Sequence, residues 1–154
     1  MTSKDLKRLK KLCERKKIKI SLAESCTGGL VSSSITSIAG SSNFFESAII
    51  SYSNNAKIEL LGINKNLILK HGAVSKEVAL SMAKNLHRLT RSHICASITG
   101  IAGPGGGSKQ KPVGTVYFSI YKKIGNKIEI NNYKKIFNSK NRIINKKKSN
   151  DFLL

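Results

Sequence analysis

Leu6, Leu9, Leu12 and Cys13 recur at three- and four-residue spacing through residues 3–17, with lysines on the opposite face. That period predicts an amphipathic helix, capped by Thr2 or Ser3 and with Asp5 suited to its first turn. In residues 18–23 the period drops to two, with Ile18 and Ile20 alternating with Lys19 and Ser21, which predicts a short strand. Small residues then dominate a helix expected from about 28 to 39, serine-rich at Ser32, Ser33, Ser34 and Ser37 and suited to close packing. After a turn at 40–43, Phe45, Ala48, Ile49, Ile50 and Tyr52 make residues 44–53 nearly continuous in apolar side chains, the pattern of a strand covered on both faces. Helical segments follow at 54–61, stopped by Gly62, and at 64–70, ending near Gly72. A longer one runs from its cap Ser75 to about Thr90, with Val78, Ala79, Met82, Ala83 and Leu86 on its core face. Residues 93–99 read as a buried strand. Residues 113–122 and 127–137 read as a hairpin across Gly125-Asn126, and 141–154 as a last, lysine-rich helix, apolar at Phe152, Leu153 and Leu154.

Helices between strands imply parallel crossovers, and the late hairpin adds an antiparallel strand. The expectation is one domain spanning 1–154, a three-layer α/β/α fold with a mixed, mostly parallel sheet of about five strands. With 154 residues and a hydrophobic fraction of 40%, the chain has enough apolar material for one real core. It has no apolar run of 18 residues and no signal-peptide pattern, so no membrane is expected as a partner. Cys13, Cys26 and Cys95 are odd in number and lack metal-type spacing, which fits free thiols in a reducing cytoplasm. The net charge of +20 raises nucleic-acid binding, but the lysines are spread along the chain and arginine forks for reading bases are scarce. The charge reads as a solvated surface with weak non-specific affinity for polyanions at low salt, and no specific nucleic-acid partner is expected.

Candidate chemistry begins where the first strand turns into the second helix, at Glu24-Ser25-Cys26-Thr27-Gly28-Gly29. Such a corner presents a serine hydroxyl at a sheet edge and can aim unpaired helix-start amides at an anion. Serine needs a base. His71, His87 and His93 are poorly placed, whereas a desolvated lysine can accept a serine proton. Lys57 lies one helical turn beyond Tyr52-Ser53-Asn54-Asn55. If the second strand neighbours the first, Ser25, Tyr52 and Lys57 meet around one pocket at the C-terminal edge; Tyr52 reads equally as a core or rim aromatic. The stretch 100–108 holds five glycines and a proline, follows a strand and falls on the same edge. It has neither a Walker ending nor a dinucleotide fingerprint, so it reads as a loop that brings bare backbone to a ligand or as a flexible connection. Glu24 either orients a hydroxyl or lysine, or holds the corner by accepting backbone N–H groups. Cys26 is either a nucleophile or a small buried hydrophobe.

Together, Ala23-Glu24-Ser25-Cys26-Thr27-Gly28-Gly29, Ser51-Tyr52 with Lys57 and Leu61-Gly62, Thr99-Gly100-Ile101-Ala102-Gly103-Pro104-Gly105-Gly106-Gly107, and Lys111-Pro112-Val113-Gly114-Thr115-Val116-Tyr117 resemble the CinA C-terminal domain family. The likeness runs from about Leu6 to Ile120. It implies an anticodon-binding-like α/β/α fold, a homodimer, no cofactor and no metal. It also implies hydrolysis of the carboxamide of nicotinamide mononucleotide to nicotinic acid mononucleotide and ammonia. By motif, Ser25, Lys57 and Tyr52 take the catalytic positions. Glu24, Thr27, Gly28 and Gly29 form the corner around the bound nucleotide, with amides from Thr27 to Gly29 facing the oxyanion. Thr99, Gly100, Gly103, Gly105 and Gly106 shape the ribose-phosphate side. The chain departs from the family after Phe137, where a Gly-Asp-Arg-like turn and a further arginine are usual. Here residues 138–145 read Asn-Ser-Lys-Asn-Arg-Ile-Ile-Asn, keeping Arg142 alone. The chain resembles the stand-alone form of the family. A degenerate, non-catalytic nucleotide-binding protein of the same fold and a charge-driven nucleic-acid module are the alternative readings.

Overall fold

β1 (Ile20–Glu24) is the central member of a parallel trio, with β2 (Phe45–Ile50) on one side and β3 (Ile94–Gly100) on the other. β4 (Thr115–Ile124) and β5 (Lys127–Ile136) continue the sheet antiparallel, giving the order β2-β1-β3-β4-β5 with β4 alone reversed. The computed structural model describes residues 3–154; the helix cap expected from Thr2 or the Ser3 side chain lies outside the described residues and side chains. One face of the sheet carries α1 (Ser3–Lys16), α2 (Leu30–Thr36) and α6 (Arg142–Leu153), whose apolar residues meet Leu22, Ile98 and Phe118. The other carries α3 (Asn54–Leu61), α4 (Lys65–His71) and α5 (Lys76–Thr90), packed on Ala23 and Cys95 through Leu61, Ile68, Val78 and Met82. Three layers and five strands are therefore as the hydrophobic pattern predicts.

The boundaries differ where the backbone leaves regular geometry. Lys17 is left-handed (φ 51), its N–H donates to the Glu14 carbonyl, and the Ile18 N–H donates to Cys13. This is the 6→1 and 5→2 pair of a Schellman stop. It consumes Ile18, so the strand begins two residues later than the alternation suggests, and all five β1 residues are buried. α2 starts at Leu30 rather than 28, because Gly28 (φ 61) and Gly29 (φ 93) are both left-handed and turn the chain before any helical bond forms. β2 alternates half-buried and exposed positions instead of being covered on both faces, since it is an edge strand. α6 forms as expected, with the Asn141 side chain accepting from the N–H groups of Ile143 and Ile144.

Candidate active site

Parallel pairing brings the C-terminal ends of β2, β1 and β3 to one edge, with Glu24 level with Ile50 and Ile98. The ladder extends one rung further on each side. Ser25 N–H donates to the Ile98 carbonyl at 3.0 Å, and Ser51 N–H to the Glu24 carbonyl at 2.8 Å. Ser25 is thus fixed by backbone as β1 ends, and the start of α3 sits one strand spacing away. The Ser53 hydroxyl caps α3 by accepting from the Ala56 N–H at 2.9 Å. The cap sets Lys57 at the helix's inner face.

Lys57 is 2% exposed, and its Nζ lies 2.9 Å from Ser25 Oγ. The same nitrogen donates to the carbonyls of Ser51 at 2.9 Å and Tyr52 at 3.4 Å. Burial lowers the Lys57 pKa below its ordinary 10.5. An ammonium would donate to all three oxygens, and burial favours the alternative, a neutral amine. In that neutral form two hydrogens serve the carbonyls and the lone pair is left for the serine proton. The Ser25–Lys57 separation falls inside the range usual for a nucleophile and its base. Cys26 is a poor rival, because burial pushes its thiol up to about 12. All three cysteines are free and buried.

Glu24 takes the structural one of its two possible roles. It is fully buried, and its carboxylate accepts from Thr27 Oγ1 at 2.6 Å and from the N–H groups of Gly29, Val31 and Ser32 at 3.0, 3.3 and 2.8 Å. The Ser32 hydroxyl adds a further donor. An internal carboxylate therefore already occupies the start of α2, where the unpaired amides and the helix dipole favour negative charge. The Gly28 N–H is also taken, by the Ser25 carbonyl at 3.1 Å. Of the corner amides, those of Cys26 and Thr27 have no acceptor among the described residues. Of the amides from Thr27 to Gly29 expected to face an oxyanion, only that of Thr27 is without an acceptor among the described residues; the Ser25 carbonyl takes Gly28 and Glu24 takes Gly29.

A cavity of about 250 Å³ opens over this pair. Of the residues singled out from sequence, Ser25, Cys26, Lys57, Tyr52, Thr99 and Gly100 line it. The Tyr52 ring is more than half exposed, and its hydroxyl accepts from Arg142 Nη2; the Tyr52 atom near Lys57 is the backbone carbonyl. Thr99 spends its hydroxyl on the Ala73 carbonyl at 2.9 Å, holding one wall of the cavity in place. Gly100 is required by close approach, since a Cβ there would lie 2.7 Å from Val116 Cγ2 and 2.9 Å from the Thr115 carbonyl. Glu24, Thr27, Gly28 and Gly29 do not line the cavity, and Gly105 and Gly106 form the exposed tip of their loop. Gly103 is buried, and its carbonyl accepts from Arg142 Nη1 at 2.9 Å. The lining residues not anticipated from sequence as parts of the site include Asn54, Ala73, Val74, Ala102 and Arg142. A lone arginine in a lysine-rich tail, directly after a cap-competent asparagine, was the available signal for Arg142. Among the described residues, no three His, Cys, Asp or Glu side chains gather as a metal site.

Comparison with known proteins accords with this geometry. The family model for the CinA C-terminal domain matches residues 3–152. A CinA-like protein of Prochlorococcus marinus subsp. pastoris is 55% identical over 136 residues, covering 88% of this chain and 30% of that protein. A putative competence-damage inducible protein of Halothermothrix orenii is 51% identical over 110 residues, covering 71% of this chain and 27% of its own length. This chain thus spans under a third of the length of these relatives. Among solved structures, the competence/damage inducible protein CihA from Agrobacterium tumefaciens superposes with a TM-score of 0.90 at 33% identity, covering 96% of this chain and 87% of that one.

Proposed function

The chain belongs to the CinA C-terminal domain family, and from that premise we propose that it hydrolyses the carboxamide of nicotinamide mononucleotide to nicotinic acid mononucleotide and ammonia. The observation that carries the reading is the buried Lys57 Nζ, 2.9 Å from Ser25 Oγ and held there by two backbone carbonyls. Neutral Lys57 accepts the Ser25 proton as Oγ bonds to the carboxamide carbon. The Cys26 and Thr27 amides stabilise the oxyanion. As the C–N bond breaks, the ammonium of Lys57 returns its proton to the departing amine, and ammonia leaves an ester on Ser25. Water then attacks that ester and gives its proton to Lys57, which passes it to Ser25 Oγ as the acyl–oxygen bond breaks, freeing the acid and the Ser25 hydroxyl. Tyr52 closes the outer side of the cavity and orients the carboxamide. The nucleotide's phosphate finds a cation rather than an acid at the rim. Arg142, which lines the cavity, is the cation offered to it. The one carboxylate of the corner, Glu24, is consumed inside it.

The reading is tested by incubating the protein with nicotinamide mononucleotide and following ammonia together with the acid nucleotide. Equimolar release of both is expected. Binding of the nucleotide without either product would instead support the non-catalytic reading.

A further inference from the structure

α6 brings an unusual face to the site. Its buried positions are polar: Asn145 (1% exposed), Ser149 (1%) and Asn150 (8%). Asn145 lies one turn after Arg142, so the two side chains share a face. Their donors take consecutive carbonyls of the glycine loop. Asn145 Nδ2 donates to Ala102 at 3.0 Å, and Arg142 Nη1 to Gly103 at 2.9 Å. Asn145 Nδ2 also donates to Ser139 at 2.8 Å, closing the turn that leads into α6. Its Oδ1 is buried without a partner. A buried amide oxygen left unpaired works against stability, and an apolar residue would avoid it. What the carboxamide supplies is a fixed link. Ala102 lines the cavity, and Arg142 in turn holds the Tyr52 hydroxyl.

We propose that Asn145 is a positioning residue that locks α6 to the glycine loop and thereby sets Arg142 and Tyr52 over the Ser25–Lys57 pair. The assignment to turnover rests on the amidohydrolase reading, whereas the lock itself does not. Ser25 and Lys57 are held by β1, β2 and α3, so loss of the lock leaves the nucleophile and base intact and disorders the wall opposite them.

The test compares Asn145→Ala, Asn145→Leu, Arg142→Ala and the double variant Arg142→Ala/Asn145→Ala. The alanine variant admits water to the freed carbonyls and keeps the fold; the leucine variant keeps the volume. In hydrogen exchange, the amides of Ile101 and Gly114, hydrogen-bonded at the base of the glycine loop, should lose protection about tenfold in either Asn145 variant, while β1 and β3 stay unchanged. On nicotinamide mononucleotide, Arg142→Ala should lower kcat/KM about tenfold in the wild-type background and less than about twofold in the Asn145→Ala background, because the lock is already lost. Additive losses, or loop exchange that matches wild type in Asn145→Ala, would overturn the proposal. A wild-type chain that releases no ammonia would sink the amidohydrolase reading alone, since the exchange measurement reads the lock without turnover.

Discussion

At Lys57, what the chemistry needs and what stability prefers are opposed. An ammonium buried at 2% exposure is costly, and burial lowers its pKa below 10.5. The folded chain therefore releases this proton at lower pH than the unfolded chain. Between the two pKa values the unfolded state binds more protons, and stability rises with pH. The penalty is full below the folded pKa and gone above 10.5. Lys57→Met should resist urea better than wild type at neutral pH, with the advantage shrinking as pH approaches 10.5. It should also lose kcat by about 10²–10⁴-fold, the contribution of a positioned base. A urea midpoint that tracks wild type at every pH would argue against a strained buried amine. Glu24 makes the reverse case. Its carboxylate meets donors from Thr27, Gly29, Val31 and Ser32, so Glu24→Ala leaves several buried donors unpaired. The expected cost is on the order of 3 kcal/mol in denaturant unfolding; a loss within about 0.5 kcal/mol would mean that water replaces it freely. Two carboxylate roles were open in the sequence because composition places Glu24 at the corner without saying which way it turns.

At the scale of elements, hydrophobic period was a good guide to which segments are helix or strand and a poor guide to where they start. The apolar faces of α1 and α5 and the β4–β5 hairpin follow directly from spacing. The late start of β1 does not, because the Schellman stop at Lys17 uses a residue that carries no turn signature. A non-glycine residue at left-handed φ is strained by about 1 kcal/mol. Lys17→Gly should therefore raise stability by roughly 0.5–1 kcal/mol, read as a higher urea midpoint at unchanged slope. A fall would show that the lysine side chain contributes more than the strain removes. The site followed the same division. Parallel strands that end at a common edge allowed Ser25, Tyr52 and Lys57 to meet only if the second strand neighboured the first, and the family resemblance is what singled the three out. The Asn145 and Arg142 contacts were not legible, because a buried polar helix face leaves no hydropathy pattern, and α6 reads as an exposed, lysine-rich tail.

For the whole molecule, the excess of positive charge acts over distance. A net charge of +20 draws anions toward the surface. No helix among the described residues is long and apolar enough to cross a membrane. If the substrate is a nucleotide, kcat/KM should fall several-fold between about 20 and 200 mM salt while kcat holds, because screening weakens encounter and not chemistry. A salt-independent kcat/KM would show that the charge is not used for capture. Site-like affinity for nucleic acid that survives physiological salt would revive the nucleic-acid reading, which the scattered lysines and few aromatics do not favour.

The central claim is that Ser25, activated by Lys57, attacks a carboxamide. It is tested most directly by ammonia release from nicotinamide mononucleotide in wild type and in Ser25→Ala, with nucleotide binding measured alongside by calorimetry. The account predicts binding within about threefold of wild type and a rate at least about a thousandfold lower in Ser25→Ala. Undiminished ammonia release by Ser25→Ala would contradict it.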